Sequence, residues 1–148
     1  MERALVVVEP TEEAKELVRE AGSLANGVDA SVVLIHATTD EEYAARKQAM
    51  SSIASSGGEY TADDAREGAE QFARDVAADV LSDLEIRYEA VGDVGKKGDV
   101  ILQAAEEHEC DHIFLPGRNR SPTGKALFGD TTQKVVLGFD GPVTVVTN

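Results

Sequence analysis

Residues 116–136 read PGRNRSPTGKALFGDTTQKVV, with three glycines and four basic side chains in one short run. Glycine lets backbone N–H groups approach an anion closely, and arginine and lysine supply positive charge, so these are the residue types of a phosphate-binding loop. The spacing excludes one strict version of such a loop. A Walker A loop places four residues between its first glycine and Gly-Lys-Ser/Thr. Here six residues separate Gly117 from Gly124-Lys125, and Ala126 stands where a hydroxyl would hold magnesium. No Gly-x-Gly-x-x-Gly follows the first apolar run, which disfavours dinucleotide binding. Two readings stay open at this level. The run is a phosphate cradle, or it is a structural loop that needs glycines.

Other chemistry-bearing residues are weaker. His108, Cys110 and His112 fall within five positions, but they straddle a helix end and a strand start and are not expected to converge on a metal. Cys110 has no adjacent base and reads as a structural thiol rather than a nucleophile. Glu9, after the first apolar run, either meets a ligand or simply ends the strand. Ser55-Ser56-Gly57-Gly58 does not follow the first strand and reads as linker. Glu12-Glu13 and Glu106-Glu107 read as solvated helix faces.

The background charge makes the basic run stand out. The chain has 148 residues and a formal net charge of −14, from 28 acids and 14 bases. From residue 112 onward, Arg118, Arg120, Lys125 and Lys134 outnumber Asp130 and Asp140, so the excess acid lies in residues 1–111. Acid spread along the chain at this density keeps a protein hydrated and is favoured in a halophilic cytoplasm. It argues against nucleic acid as a partner, which needs a basic face. No apolar run approaches the roughly 20 residues of a membrane span, and MERALVVVEP lacks the pattern of a signal peptide. A single cysteine permits no internal disulfide. These features together predict a cytoplasmic protein with one domain over residues 1–148.

The elements that must position the loop follow from periodicity. Ala4–Val8, Ser31–Ile35 and His112–Leu115 are short apolar runs suited to strands buried on both faces. Leu84–Val91 alternates like an edge strand, and Val143–Val146 is a last strand after Gly141-Pro142. Thr11 predicts a helix N-cap, followed by Ala14, Leu17, Val18, Ala21, Leu24 and Ala25 on one face, with Gly27 beyond. Residues 40–60 predict a mobile connection with a helical turn or two. Thr61 and Asp64 predict a capped long helix, whose face runs from Ala65 through Phe72 to Leu81. Gly92, Gly95 and Gly98 predict a turn-rich link before a helix with Val100, Ile101, Ala104 and Ala105 inward. Asp130 and Gln133 predict a capping box, with Asp130 as N-cap of the last helix. Alternating strands and helices imply an α/β fold: an open five-stranded parallel sheet, flavodoxin- or Rossmann-like, with helices on both faces. Ligands of such sheets sit beyond the carboxyl ends of the strands, where strand order reverses.

The order of these motifs resembles the universal stress proteins of the UspA type over essentially the whole chain. Val8 to Ala14, Val91-Gly92-Asp93, Cys110 to Ile113, Gly117 to Asp130 and Gly141-Pro142-Val143 carry the resemblance. It implies ATP binding with slow or no turnover in one branch of the family, and no ATP binding in another. The ATP-binding pattern of the family is Gly, two residues, Gly, nine residues, Gly, then Ser or Thr. Gly117 matches its first glycine and Gly129 its last, whereas the second falls on Arg120. Eight residues precede Gly129, and Asp130 takes the hydroxyl position, with Thr131 next. By this resemblance the nucleotide contacts are Val8, Glu9, Pro10, Ala37, Gly117, Arg118, Arg120, Gly124, Gly129, Asp130 and Thr131. Asp130 as N-cap would repel phosphate, unless magnesium bridges the two. The resemblance also implies a homodimer through the C-terminal edge strand. The expectation is therefore a nucleotide-binding stress protein, or a dimeric interaction module of the same fold. A small ATPase is a third reading, with no general base to name.

Overall fold

The computed structural model describes residues 1–53, 59–117 and 129–146. Five strands form one sheet: β1 (Arg3–Val7), β2 (Ser31–Thr38), β3 (Tyr88–Val94), β4 (His112–Pro116) and β5 (Val143–Val146). Five helices connect them: α1 (Glu12–Gly27), α2 (Asp40–Ile53), α3 (Ala62–Val80), α4 (Lys97–Glu107) and α5 (Asp130–Gly138). The strand order is β3-β2-β1-β4-β5, and every pair is parallel.

Apolar residues at successive strand positions fill both faces. Ala4, Val6, Val8, Val32, Leu34 and Phe114 meet α1 and α3, through Leu17, Val18, Ala73 and Val80 among others. Leu5, Val7, Val33, Ile35, Ile113 and Leu115 meet α4 and α5 on the opposite face, at Ile101, Ala104 and Val135. A doubly covered parallel sheet needs this continuous apolarity rather than alternation. No helix among the described residues is long and apolar enough to cross a membrane.

Several local expectations need correction. Residues 40–60 contain α2 rather than a loose connection. Its start is a capping box that the sequence carries as Thr39-x-x-Glu42: the Glu42 N–H donates to Thr39 Oγ1 at 3.1 Å, and Glu42 Oε1 accepts from the Thr39 N–H at 3.4 Å. Its apolar pattern is weak because most of its side chains face solvent. β3 lies three to four residues beyond the predicted Leu84–Val91, and Gly92 is inside it rather than in a link. The reason is close approach, since a Cβ on Gly92 would lie 2.2 Å from the Glu70 backbone nitrogen of α3. On α1, Leu24 is exposed and Gly22 takes its place on the buried stripe, beneath Leu81. That helix includes Gly27 as its last residue rather than stopping before it, and the left-handed position falls on Asp29 at φ 58°, with the Ala30 N–H donating to Ala25 O.

β5 is an edge strand. The Ile113 N–H donates to Pro142 O and the Gly117 N–H to Val146 O, so the even-numbered residues of β5 face β4. The backbone groups of Val143 and Val145 therefore point away from the sheet.

Candidate functional site

A cleft of about 620 Å³ opens at the carboxyl ends of β1 and β4, between which strand order reverses. Val7, Ile101 and Leu115 form its apolar floor, as the two-faced strand pattern requires. Its polar rim comes from four separate elements: Glu9 to Thr11 after β1, Lys97 of α4, Gly117 after β4, and Gly129 to Thr132 at the start of α5.

The helix ends at this rim differ. Thr11 closes α1, its Oγ1 accepting from the Ala14 N–H at 3.1 Å. α5 has no such closure among the described residues. Gly129 is its N-cap, in extended conformation, and no described side chain accepts from the first N–H groups. The first intrahelical bond is from the Gln133 N–H to Gly129 O, so the N–H groups of Asp130, Thr131 and Thr132 have no acceptor within the helix. The predicted Asp130–Gln133 capping box is therefore not formed: Asp130 is one residue inside, already helical. Its carboxylate stays in the first turn, beside the positive end of the dipole, without occupying the cap. α4 also starts without a side-chain cap, on Lys96.

Lys97 was not foreseen from the sequence. Its Nζ donates to Glu9 Oε1 at 3.0 Å, joining the end of β1 to the start of α4. The two side chains are 31% and 21% exposed, so the pair is partly withdrawn from water. The available signal was Gly95-Lys96-Lys97-Gly98, two bases between glycines in an acidic segment. Gly98 has its own packing reason. The stem of Lys134 crosses it, with Cδ 2.9 Å from where a Cβ would stand, and the Lys134 ammonium pairs with Asp99. This contact holds the starts of α4 and α5 side by side.

The structure brings Glu9, Pro10, Gly117, Gly129, Asp130 and Thr131 together around the cleft. Gly117 does not offer its N–H, which donates to Val146 O at 2.7 Å. Val8 and Ala37 lie behind the rim. Val8 is buried, its N–H donating to Ile35 O and its carbonyl accepting from His36 Nδ1. Ala37 packs into the α4–α5 side of the core. Arg118, Arg120 and Gly124 lie outside the described residues. His108 and His112 turn to different partners, Glu89 and Thr144, and no group of three metal-ligating side chains occurs among the described residues. Burial pushes the Cys110 thiol up to about 11, which removes it as a nucleophile. A larger hollow, about 760 Å³, lies on the other side of Pro10, between α3 and α2. It lacks the switch-point position and the open helix start.

Known structures share this fold. The hypothetical protein MJ0577 superimposes with a TM-score of 0.72 at 18% identity, over 99% of this chain and 96% of that one. A universal stress protein from Archaeoglobus fulgidus in complex with dAMP gives 0.62 at 16%, over 98% and 97%. A universal stress protein in complex with cAMP gives 0.62 at 15%, over 99% and 96%. No curated protein matches the chain. The family model of the universal stress proteins matches residues 1–147, and with that span the chain belongs to the universal stress protein family.

Proposed function

We propose that this protein is a cytoplasmic nucleotide-binding protein rather than an enzyme. In this reading an adenine nucleotide such as ATP lies in the β1–β4 cleft, with its phosphates at the start of α5. The observation that carries the reading is the start of α5, which lines the cleft behind a glycine N-cap and has no side-chain cap among the described residues. The cleft volume is in the range of small-molecule sites. Two family members of the same fold hold dAMP and cAMP, which supports an adenine nucleotide as the class.

Asp130 opposes a bare phosphate; magnesium bound with the nucleotide would be held by the Asp130 carboxylate and would offset that repulsion. Calorimetry with ATP tests this. Wild type is expected to bind ATP more tightly with magnesium than with a chelator, and Asp130→Ser is expected to abolish the difference. Absence of ATP binding in both proteins, with magnesium and at high salt, rejects the reading. It would leave the second one, a dimeric interaction module, which the exposed edge of β5 favours.

A further inference from the structure

Three charged side chains line the described part of the cleft: Glu9, Lys97 and Asp130. Their sum is negative, which is the wrong sign for a polyphosphate. Lys97 is the one positive group among them, and it already faces Glu9. We propose that Lys97 is an exchangeable counter-ion that selects polyphosphates. It neutralises Glu9 in the free cleft and turns to the ligand's phosphate oxygens on binding. The inference rests on the nucleotide reading and adds its specificity, nucleoside triphosphates over monophosphates and nucleosides.

Lysine suits exchange. Its ammonium is a compact point charge with three donors on a flexible stem, and among the described residues only one of its hydrogen bonds, to Glu9 Oε1, is formed. Partial withdrawal from water makes each interaction stronger than at an open surface. Lys97 begins α4, and the Lys134–Asp99 clasp over Gly98 holds that start beside α5. The ammonium and the free N–H groups of α5 therefore line the same hollow. When Lys97 turns, the Glu9 carboxylate is released to accept hydrogen bonds from hydroxyl donors on the ligand.

The test is calorimetry of the full chain with ATP, AMP, adenosine and inorganic tripolyphosphate, on wild type, Lys97→Met, Lys97→Arg and Glu9→Gln. Far-ultraviolet circular dichroism checks folding, and Lys97→Arg keeps the charge if the methionine variant unfolds. Loss of a charged hydrogen bond predicts ~10-fold or greater weakening of ATP and tripolyphosphate by Lys97→Met. Adenosine binding should not weaken, since Lys97→Met frees Glu9 for the ligand's hydroxyls, and Lys97→Arg should retain most of the preference for ATP over AMP. Glu9→Gln removes the competing partner and should tighten tripolyphosphate binding. Equal weakening of adenosine and ATP by Lys97→Met would overturn the proposal, as would unaltered ATP binding in that variant or weaker tripolyphosphate binding in Glu9→Gln. If wild type binds ATP but the variants do not separate, only the role of Lys97 falls. If wild type binds neither ATP nor tripolyphosphate, the nucleotide reading falls with it.

Discussion

Gly129 sets what the start of α5 can bind. Its backbone is extended, a conformation open to any residue, so backbone strain does not require glycine there. A serine at this position would place a hydroxyl where it accepts one of the free N–H groups of the first turn. Gly129→Ser is therefore expected to stabilise the fold by a few tenths of a kcal/mol and to weaken ATP binding, because the cap and the phosphate compete for the same donors. Urea unfolding and calorimetry on one preparation check the opposed signs. Weaker folding together with tighter binding would contradict the account. Cys110 gives a second prediction at this scale. Burial raises its thiol pKa to about 11, from an ordinary value near 9.0, and the coulombic effect of Arg3 opposes that only in part. The folded state therefore disfavours the thiolate. The stabilisation from keeping the thiol neutral is complete below about pH 9 and is lost as pH rises towards 11. Iodoacetamide at pH 8 should leave the native protein unlabelled and label it in guanidinium, which mass spectrometry reads directly. Rapid labelling of the native state would show that the thiol is not held as described.

The elements were legible where hydrophobic period and capping agree. β1, β4, β5, α1, α3 and α4 all lie close to where their patterns predict them, and Thr11 and Thr61 cap α1 and α3 as read. α2 was obscure because few of its side chains are buried, so no apolar stripe marks it, although Thr39-x-x-Glu42 was there to be read. β3 was misplaced because Gly92 looks like a turn residue, and only the backbone of α3 behind it explains the glycine. The place of the candidate cleft was legible by element order, which put the ends of β1 and β4 and the start of α5 at one switch point. It was not legible by contact, since the Lys97–Glu9 pair joins residues 88 positions apart. The same element scale sets the expectation for assembly. β3, at the far edge, is flanked by Glu85 and Arg87 and carries Glu89 and Asp93, charges that discourage strand addition. β5 reads Val-Thr-Val-Val with no charge, and the backbone groups of Val143 and Val145 point outward. Two copies pairing at β5 would satisfy both edges around a two-fold axis. Val145→Pro removes an outward N–H without touching the ladder to β4. Light scattering is expected to give a dimer for wild type and a monomer for the variant. A monomeric wild type at micromolar concentration would exclude this interface.

Over the whole molecule, 28 acids against 14 bases leave repulsion that local pairing does not remove. Among the described residues, lysine and arginine pair only with Glu9, Glu12, Asp63, Glu70, Asp79, Asp93 and Asp99. Most of these pairs include a well-exposed side chain, and exposed pairs contribute little, about 0–1 kcal/mol each. Salt acts on both terms at once. It weakens the few attractive pairs, and it screens the many unpaired carboxylates of an acidic surface. The screening length falls from ~10 Å at 0.1 M to ~3 Å at 1 M, so repulsion between neighbouring carboxylates is suppressed over that range. The excess of acids decides the sign, and stability should rise with potassium chloride. For a chain of this size each ~1 kcal/mol of relieved repulsion raises Tm by roughly 3–5 °C. Melts from dilute buffer to molar potassium chloride should therefore climb steadily. A low concentration of potassium sulfate, compared with chloride at equal ionic strength, separates screening from the general strengthening of apolar burial by excluded salts. Equal gains for the two salts identify screening. A Tm that stays flat or falls in chloride would mean that the acidic surface is not self-repelling in the fold, and the inference of a salt-rich cytoplasm would go with it.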